Sequence, residues 1–137
     1  PAFLQRGDDG AAPTLTSGSY LVINSDYLAE VFDQGGDVAS GVFTAPITGR
    51  YYFSANVYHY DTTSGDAIYF RLATSNKYYY SWGLVRSGSV VGMASINMLT
   101  DMDASDTAQI EIQNATSARG EISVSSNWLT FSGALIC

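Results

Sequence analysis

The sequence predicts an all-β sandwich. About ten short runs of β-branched, aromatic and small residues recur along it, separated by Gly, Pro, Asn, Asp and Ser clusters roughly every 8 to 12 residues. No segment carries the 3.6-residue apolar period of an amphipathic helix. Hydrophobic residues make up 46% of the chain and charged ones only 14%, which suits a tightly folded surface rich in Ser, Thr, Asn and Tyr.

Residues 2–5 read as a first short strand, followed by a polar, Gly- and Pro-bearing loop over 6–18. Residues 20–23 form the next strand, and 28–32 a brief edge strand ahead of the Gly35-Gly36 turn. Residues 42–45 are a β-rich run stopped by Pro46, which has no N–H to give a ladder. Ile47-Thr48-Gly49 supplies a turn in which Gly49 is expected at positive φ. The tyrosine-dense strand 50–60 follows, so 42–60 is expected as a central hairpin.

Residues 67–73 alternate, with Ile68, Phe70 and Leu72 on one face and Tyr69 and Arg71 on the other. Asn76-Lys77 turns the chain into 78–82, and 90–99 is a long strand of small and apolar residues. Residues 107–113 alternate again, Ala108, Ile110 and Ile112 inward against Gln109, Glu111 and Gln113 outward. Strands at 121–124 and 129–136 complete the chain.

At 137 residues the chain is expected to be one domain, 1–137, long enough to bury a proper core. It begins with Pro rather than Met, so it is expected to be a piece of a longer protein. Six Lys and Arg against thirteen Asp and Glu give a net charge of −7. Nucleic-acid binding needs a cationic footprint to displace phosphate counterions, and anionic membranes need the same; neither partner is expected. No apolar run approaches the ~20 residues of a membrane-spanning helix, so no membrane insertion is expected. The single cysteine, Cys137, allows no internal disulfide.

No nucleophile-elbow, phosphate-loop, dinucleotide or zinc-protease motif is present, and no cofactor is required by the residues. The one histidine, His59, falls in the core-side register of its strand, as a packed or capping residue. A non-enzyme is expected. Asp101-x-Asp103-x-x-Asp106 is the densest acidic cluster, expected in a loop between strands. Two explanations fit it: oxygen ligands for calcium, or Asp side chains bonding their own turn. Tyr78-Tyr79-Tyr80 with Trp82 is the most aromatic stretch. Alternation sends Tyr78, Tyr80 and Trp82 to one face and Tyr79 to the other. Stacking on sugar rings and plain packing both account for it, and Tyr79 or Trp82 is the candidate platform. With 61–65 and 87–89, residues 78–82 are the loops and outer strand free to vary for recognition. Arg6-Gly7-Asp8, read as a loop tripeptide, and the Asn114-Ala115-Thr116 glycosylation acceptor are isolated triplets.

The pattern F-T-A-P-x-x-G-x-Y-x-F over 43–53, preceded by Phe32-Asp33-Gln34-Gly35-Gly36 and matched by Phe131-Ser132-Gly133-Ala134-Leu135, resembles the C1q/TNF-like domain. Pro1-Ala2-Phe3-Leu4, Ala73-Thr74-Ser75-Asn76, residues 99–108 and terminal Cys137 narrow the likeness to C1q-like C-terminal domains of marine bacteriophage tail-fibre and other virion proteins. The resemblance implies a jelly-roll topology and a homotrimer. It turns Tyr51 and Phe53 to the core and Tyr52, Asn56, Tyr58 and Tyr60 outward. With Ser132, Ala134 and Ile136 from the last strand, these would meet their copies around a threefold axis. It also implies calcium at loop carboxylates near the trimer apex. The function implied is a trimeric adhesion module on the virion surface, binding a cell-surface glycan or protein receptor through many weak contacts. Two other readings stand beside it, a secreted cellular C1q-domain protein and a purely structural trimerisation or decoration domain.

Overall fold

A computed structural model describes residues 1–85, 91–117 and 119–137. Among them lie twelve strands: β1 (Ala2–Gly7), β2 (Leu21–Val22), β3 (Leu28–Asp33), β4 (Val38–Ala39), β5 (Val42–Thr44), β6 (Gly49–Tyr60), β7 (Ala67–Thr74), β8 (Tyr78–Leu84), β9 (Gly92–Met102), β10 (Thr107–Asn114), β11 (Glu121–Ile122) and β12 (Thr130–Leu135). All their pairings are antiparallel, in two sheets. This is the jelly-roll-like sandwich the sequence implies.

In the first sheet β6 is central. It pairs with β9 from Gly49 to His59, and on its other side with β12 and then β11. β12 continues to β1, and β1 to the edge strand β3. The second sheet runs β4-β5-β10-β7-β8, with β2 also pairing β10. The stretch 42–60 is therefore not a hairpin: β5 and β6 belong to different sheets, and residues 45–48 form the corner between them. Pro46 cannot continue the β5 ladder, and the Tyr51 hydroxyl donates to the Ile47 carbonyl at 2.7 Å, closing the bend. Gly49 does not take a positive φ. Its missing side chain matters for space instead, since a Cβ there would come within 2.6 Å of Leu135.

The alternation read from the sequence places the core. Ile68, Phe70 and Leu72 of β7 face Ala108, Ile110 and Ile112 of β10 and are all but inaccessible. Between the sheets, Phe3, Phe43, Tyr51, Phe53 and Phe131 form an aromatic cluster. Phe3 stacks on Phe43 at 5.1 Å and meets Phe131 edge-on at 5.0 Å. Each such ring removes enough apolar surface from water to contribute about 1.5–3 kcal/mol.

Both chain ends lie at one end of the sandwich. Leu135 N–H donates to the Pro1 carbonyl and Arg50 N–H to that of Cys137. The turn over 103–106 lies at the same end, and residues 8–10, 61–65 and 125–128 lie at the other. The expected strand 90–99 is observed as Gly92–Met102, with Val90 outside the described residues. Its extension follows from full pairing with β6. Residues 87–89, expected as a recognition loop, also lie outside the described residues. Arg6 and Gly7 belong to β1 rather than a loop, and a Cβ on Gly7 would overlap the Val124 carbonyl. The Asn114 side chain is fully buried, bonding Thr116 N–H, Ser117 and the Arg119 carbonyl, so the folded chain presents no glycosylation acceptor there.

Candidate recognition site

The outer face of the first sheet carries every residue expected at a threefold contact. Strand alternation buries Tyr51, Phe53, Ala55 and Val57 and turns Tyr52, Asn56, Tyr58 and Tyr60 outward. Ala134 sits opposite Tyr52, Ser132 opposite Ser54, and Ile136 extends the row. β9 adds Met93 and Leu99, beside Tyr58 and Tyr52. Phe32 and Trp128 complete the patch, with the Trp128 ring tilted against that of Tyr58 at 5.4 Å. Tyr52, Leu99 and Ile136 remain 42%, 53% and 59% exposed, a contiguous apolar surface uncovered by the chain itself. Sequence reading missed the β9 contribution because 92–102 is small or apolar on both faces and its alternation is faint.

The acidic cluster behaves otherwise. Asp101 stands on β9, not in the loop, and its carboxylate pairs with Arg50 across the strand at 3.1 Å. Asp106 accepts from the Asp103 N–H, from Ser75 Oγ at 2.8 Å and from Asn76; these bonds hold its carboxyl below the usual range. Asp103 accepts from the Thr48 hydroxyl. The three carboxylates thus face separate partners, and no group of three His, Cys, Asp or Glu residues suited to a metal forms among the described residues. The turn lies at the end of the chain termini. Asp106, accepting from the Asp103 N–H, makes the side-chain bond of a turn, whereas Asp101 does not.

The aromatic stretch divides as alternation requires. Tyr79 turns inward, packs against the core, and its hydroxyl bonds Thr100 Oγ1 at 2.8 Å. Its ring is partly buried. Tyr78, Tyr80 and Trp82 stand outward on β8, and Trp82 lies 6.3 Å from Tyr69. Tyr78 and Tyr80 flank Arg71, whose guanidinium lies 3.5 Å from the Tyr20 ring centre and 4.0 Å from that of Tyr78. Arg71 Nε donates to Glu111 at 2.6 Å and Nη1 to the Tyr80 hydroxyl at 3.3 Å. Glu111, expected as an outward polar residue, is covered by this arrangement. Burial pushes the Tyr20 hydroxyl above its ordinary pKa. Arg71 and Tyr20 were not singled out from sequence; outward alternation on β7 was the available signal for Arg71, while Tyr20 lies far off in the chain.

His59 is buried in the core-side register, as expected. Its desolvation holds the imidazole pKa below the ordinary value, and its Nδ1 bonds nothing among the described residues.

Two antiparallel sheets in this connection, with one apolar outer face, define a C1q/TNF-like domain. The C1q domain profile matches residues 27–136, so the chain belongs to the C1q domain family. The globular domain of zebrafish complement 1qA is similar at 18% identity and a TM-score of 0.68, covering 100% of this chain and 98% of that one. Murine APRIL at pH 8.5 gives 0.70 at 10% identity, covering 98% of each. The PRD1 vertex protein P5 gives 0.66 at 13% identity, over 99% and 96%. These likenesses establish the shared fold. No curated protein matches the chain by sequence.

Proposed function

We propose that this C1q domain is a non-enzymatic, homotrimeric recognition module on a virion surface, which binds a cell-surface glycan or protein through several weak contacts. The observation that carries the reading is the contrast between the two outer faces. One, built on β6, β9 and β12, is apolar and uncovered, and three copies meeting on it would remove that surface from water. The other presents Tyr78 and Tyr80 around the buried Arg71–Glu111 pair, with Trp82 beside Tyr69 further along the same strand. Rings held at fixed positions can stack on a ligand with little loss of side-chain entropy, and three copies add avidity. The virion setting is supported by the motif resemblance and by the fold shared with a vertex protein. Among the described residues no helix is long and apolar enough to cross a membrane.

Light scattering coupled to size exclusion is expected to give three times 14.7 kDa. Tyr58→Asp is expected to dissociate the assembly, because it would desolvate three carboxylates near one axis. Tyr80→Ala is expected to leave the trimer intact and reduce adsorption to host cells. A parent that is monomeric at micromolar concentration would sink the trimer reading. A Tyr80→Ala trimer that adsorbs like the parent, in a preparation that adsorbs at all, would remove the outer face from recognition.

A further inference from the structure

The outer face of the first sheet is uneven across its width. From edge to edge its strands run β9-β6-β12-β1-β3. Leu99, Tyr52, Ala134 and Ala2 are successive cross-strand partners, so they form one row on that face. Leu99 and Tyr52 project on the β9 side of the row, and Phe32 projects on β3 at the other edge. Between these two ridges the small Ala2, Ser132 and Ala134 floor a shallow trough of about 200 Å³. Alanine is depleted in strands, where branched and aromatic side chains fit the pleat better. Two alanines side by side in this row leave room for an occupant.

The trough suits an apolar occupant. Ser132 Oγ donates to the Ser54 carbonyl at 3.3 Å, and the Tyr52 hydroxyl donates to Asn97 Oδ1 at 3.2 Å, so the hydroxyls of floor and wall have partners within their own chain. Covering them strands no polar group. The volume falls below the ~300–1,000 Å³ of small-molecule sites and fits a single side chain better. Leu99, 53% exposed, stands on the same row but two strands from Ala134, about 10 Å away, with Tyr52 between them. It cannot enter its own trough. A closed ring of three, however, is built from unlike surfaces: each copy offers one patch to the neighbour ahead and a different one to the neighbour behind. A ridge at one edge of the face and a trough toward the other meet that requirement. Rotation about an axis running along the strands shifts no residue along that axis, so Leu99 of one copy arrives at the level of Ala134 and Ala2 in the next.

Resting on the trimer reading above and giving it a specific contact, we propose that the trough is a socket for a second copy of this chain. Leu99 of one copy inserts between Phe32 and Tyr52 of the next and sits on Ala2 and Ala134. Each copy then gives one leucine and receives one, and three such contacts close the ring. The small side chain at 134 is what keeps the socket open, and the exposed leucine at 99 is what fills it.

The test is a cross-link. The 14.7 kDa chain carrying Cys137→Ser, Leu99→Cys and Ala134→Cys is oxidised and run on a non-reducing denaturing gel. A covalent trimer is expected, because two positions whose Cα atoms lie beyond about 7 Å cannot be bridged within one chain. Leu99→Cys or Ala134→Cys alone can link at most two chains and is expected to give no trimer band. Leu99→Cys with Thr130→Cys, which moves the second thiol about 13 Å along β12, is expected to give none either. Without any cysteine, Ala134→Leu is expected to raise the concentration at which the trimer half-dissociates at least about tenfold, and adding Leu99→Ala is expected to recover most of that loss. A protein that is trimeric by light scattering, yet gives no covalent trimer from Leu99→Cys with Ala134→Cys or links equally well through Thr130→Cys, overturns the contact and leaves the trimer standing. An Ala134→Leu protein that assembles like the parent does the same. A parent that is monomeric at micromolar concentration overturns the trimer reading itself, and the contact with it.

Discussion

Arg71→Met is expected to cost about 3 kcal/mol of unfolding free energy, the low end of what breaking a buried ion pair from one side costs. Arg71 and Glu111 are paired through Nε at 2.6 Å, with side chains only 14% and 8% exposed. Burial by itself would lower the Arg71 pKa; the Glu111 and Tyr80 hydrogen bonds outweigh it, and the guanidinium is held above its ordinary value. Removing it leaves the Glu111 carboxylate buried, with Gln109 still donating to Oε1 at 2.6 Å, which is why the low end applies. The tyrosines also lose the cation beneath Tyr20 and Tyr78. The double variant Arg71→Met, Glu111→Leu replaces the pair with apolar side chains and is expected to cost no more than about 1 kcal/mol. Urea unfolding of all four proteins at one concentration gives the coupling energy directly. Because the pair is shielded from solvent, raising salt from about 0.05 to 0.5 M should change the coupling little. A single-variant cost under about 1 kcal/mol, or a double variant as unstable as the sum of the singles, would refute the argument.

Two further expectations concern the core. Gly133→Ala would bring a Cβ to 2.6 Å from Phe3 and 2.7 Å from Phe53, rings already packed, and is expected to cost about 1–3 kcal/mol; Gly83→Ala, entering open space, should not, and equal melting of the two variants would contradict this. The buried His59 has a folded-state pKa below its unfolded value near ~6.5, so its contribution to stability is complete above about pH 6.5 and is lost as pH falls from there toward the folded-state pKa. Melting profiles should therefore decline on acidification through this range in the parent and less so in His59→Leu; superimposable slopes would show that His59 is not linked to folding.

Much of this architecture is legible locally. Ile68, Phe70 and Leu72, and again Ala108, Ile110 and Ile112, mark a buried face because successive side chains on a strand leave on opposite sides, whatever the strand pairs with. The same rule separates Tyr79 from its neighbours and turns Tyr52, Asn56 and Tyr58 outward. Motif resemblance adds the family, which the C1q match over 27–136 establishes. Tertiary structure decides what depends on partners far off in the chain. Residues 42–60 look like a hairpin because they are adjacent, yet β5 pairs β10 and β6 pairs β9 and β12. Asp101 looks like a loop ligand until β6 extends the pairing of β9 past it and sets Arg50 opposite. Arg71 becomes a structural centre only when Tyr20, Tyr78, Tyr80 and Glu111 arrive from three other segments. The His59 ring has room only because Gly92, from a strand distant in the chain, withholds a side chain beside it. Alternation belongs to the local backbone and is written in every short run of residues. Pairing and empty space belong to contacts between distant segments, which no local pattern contains.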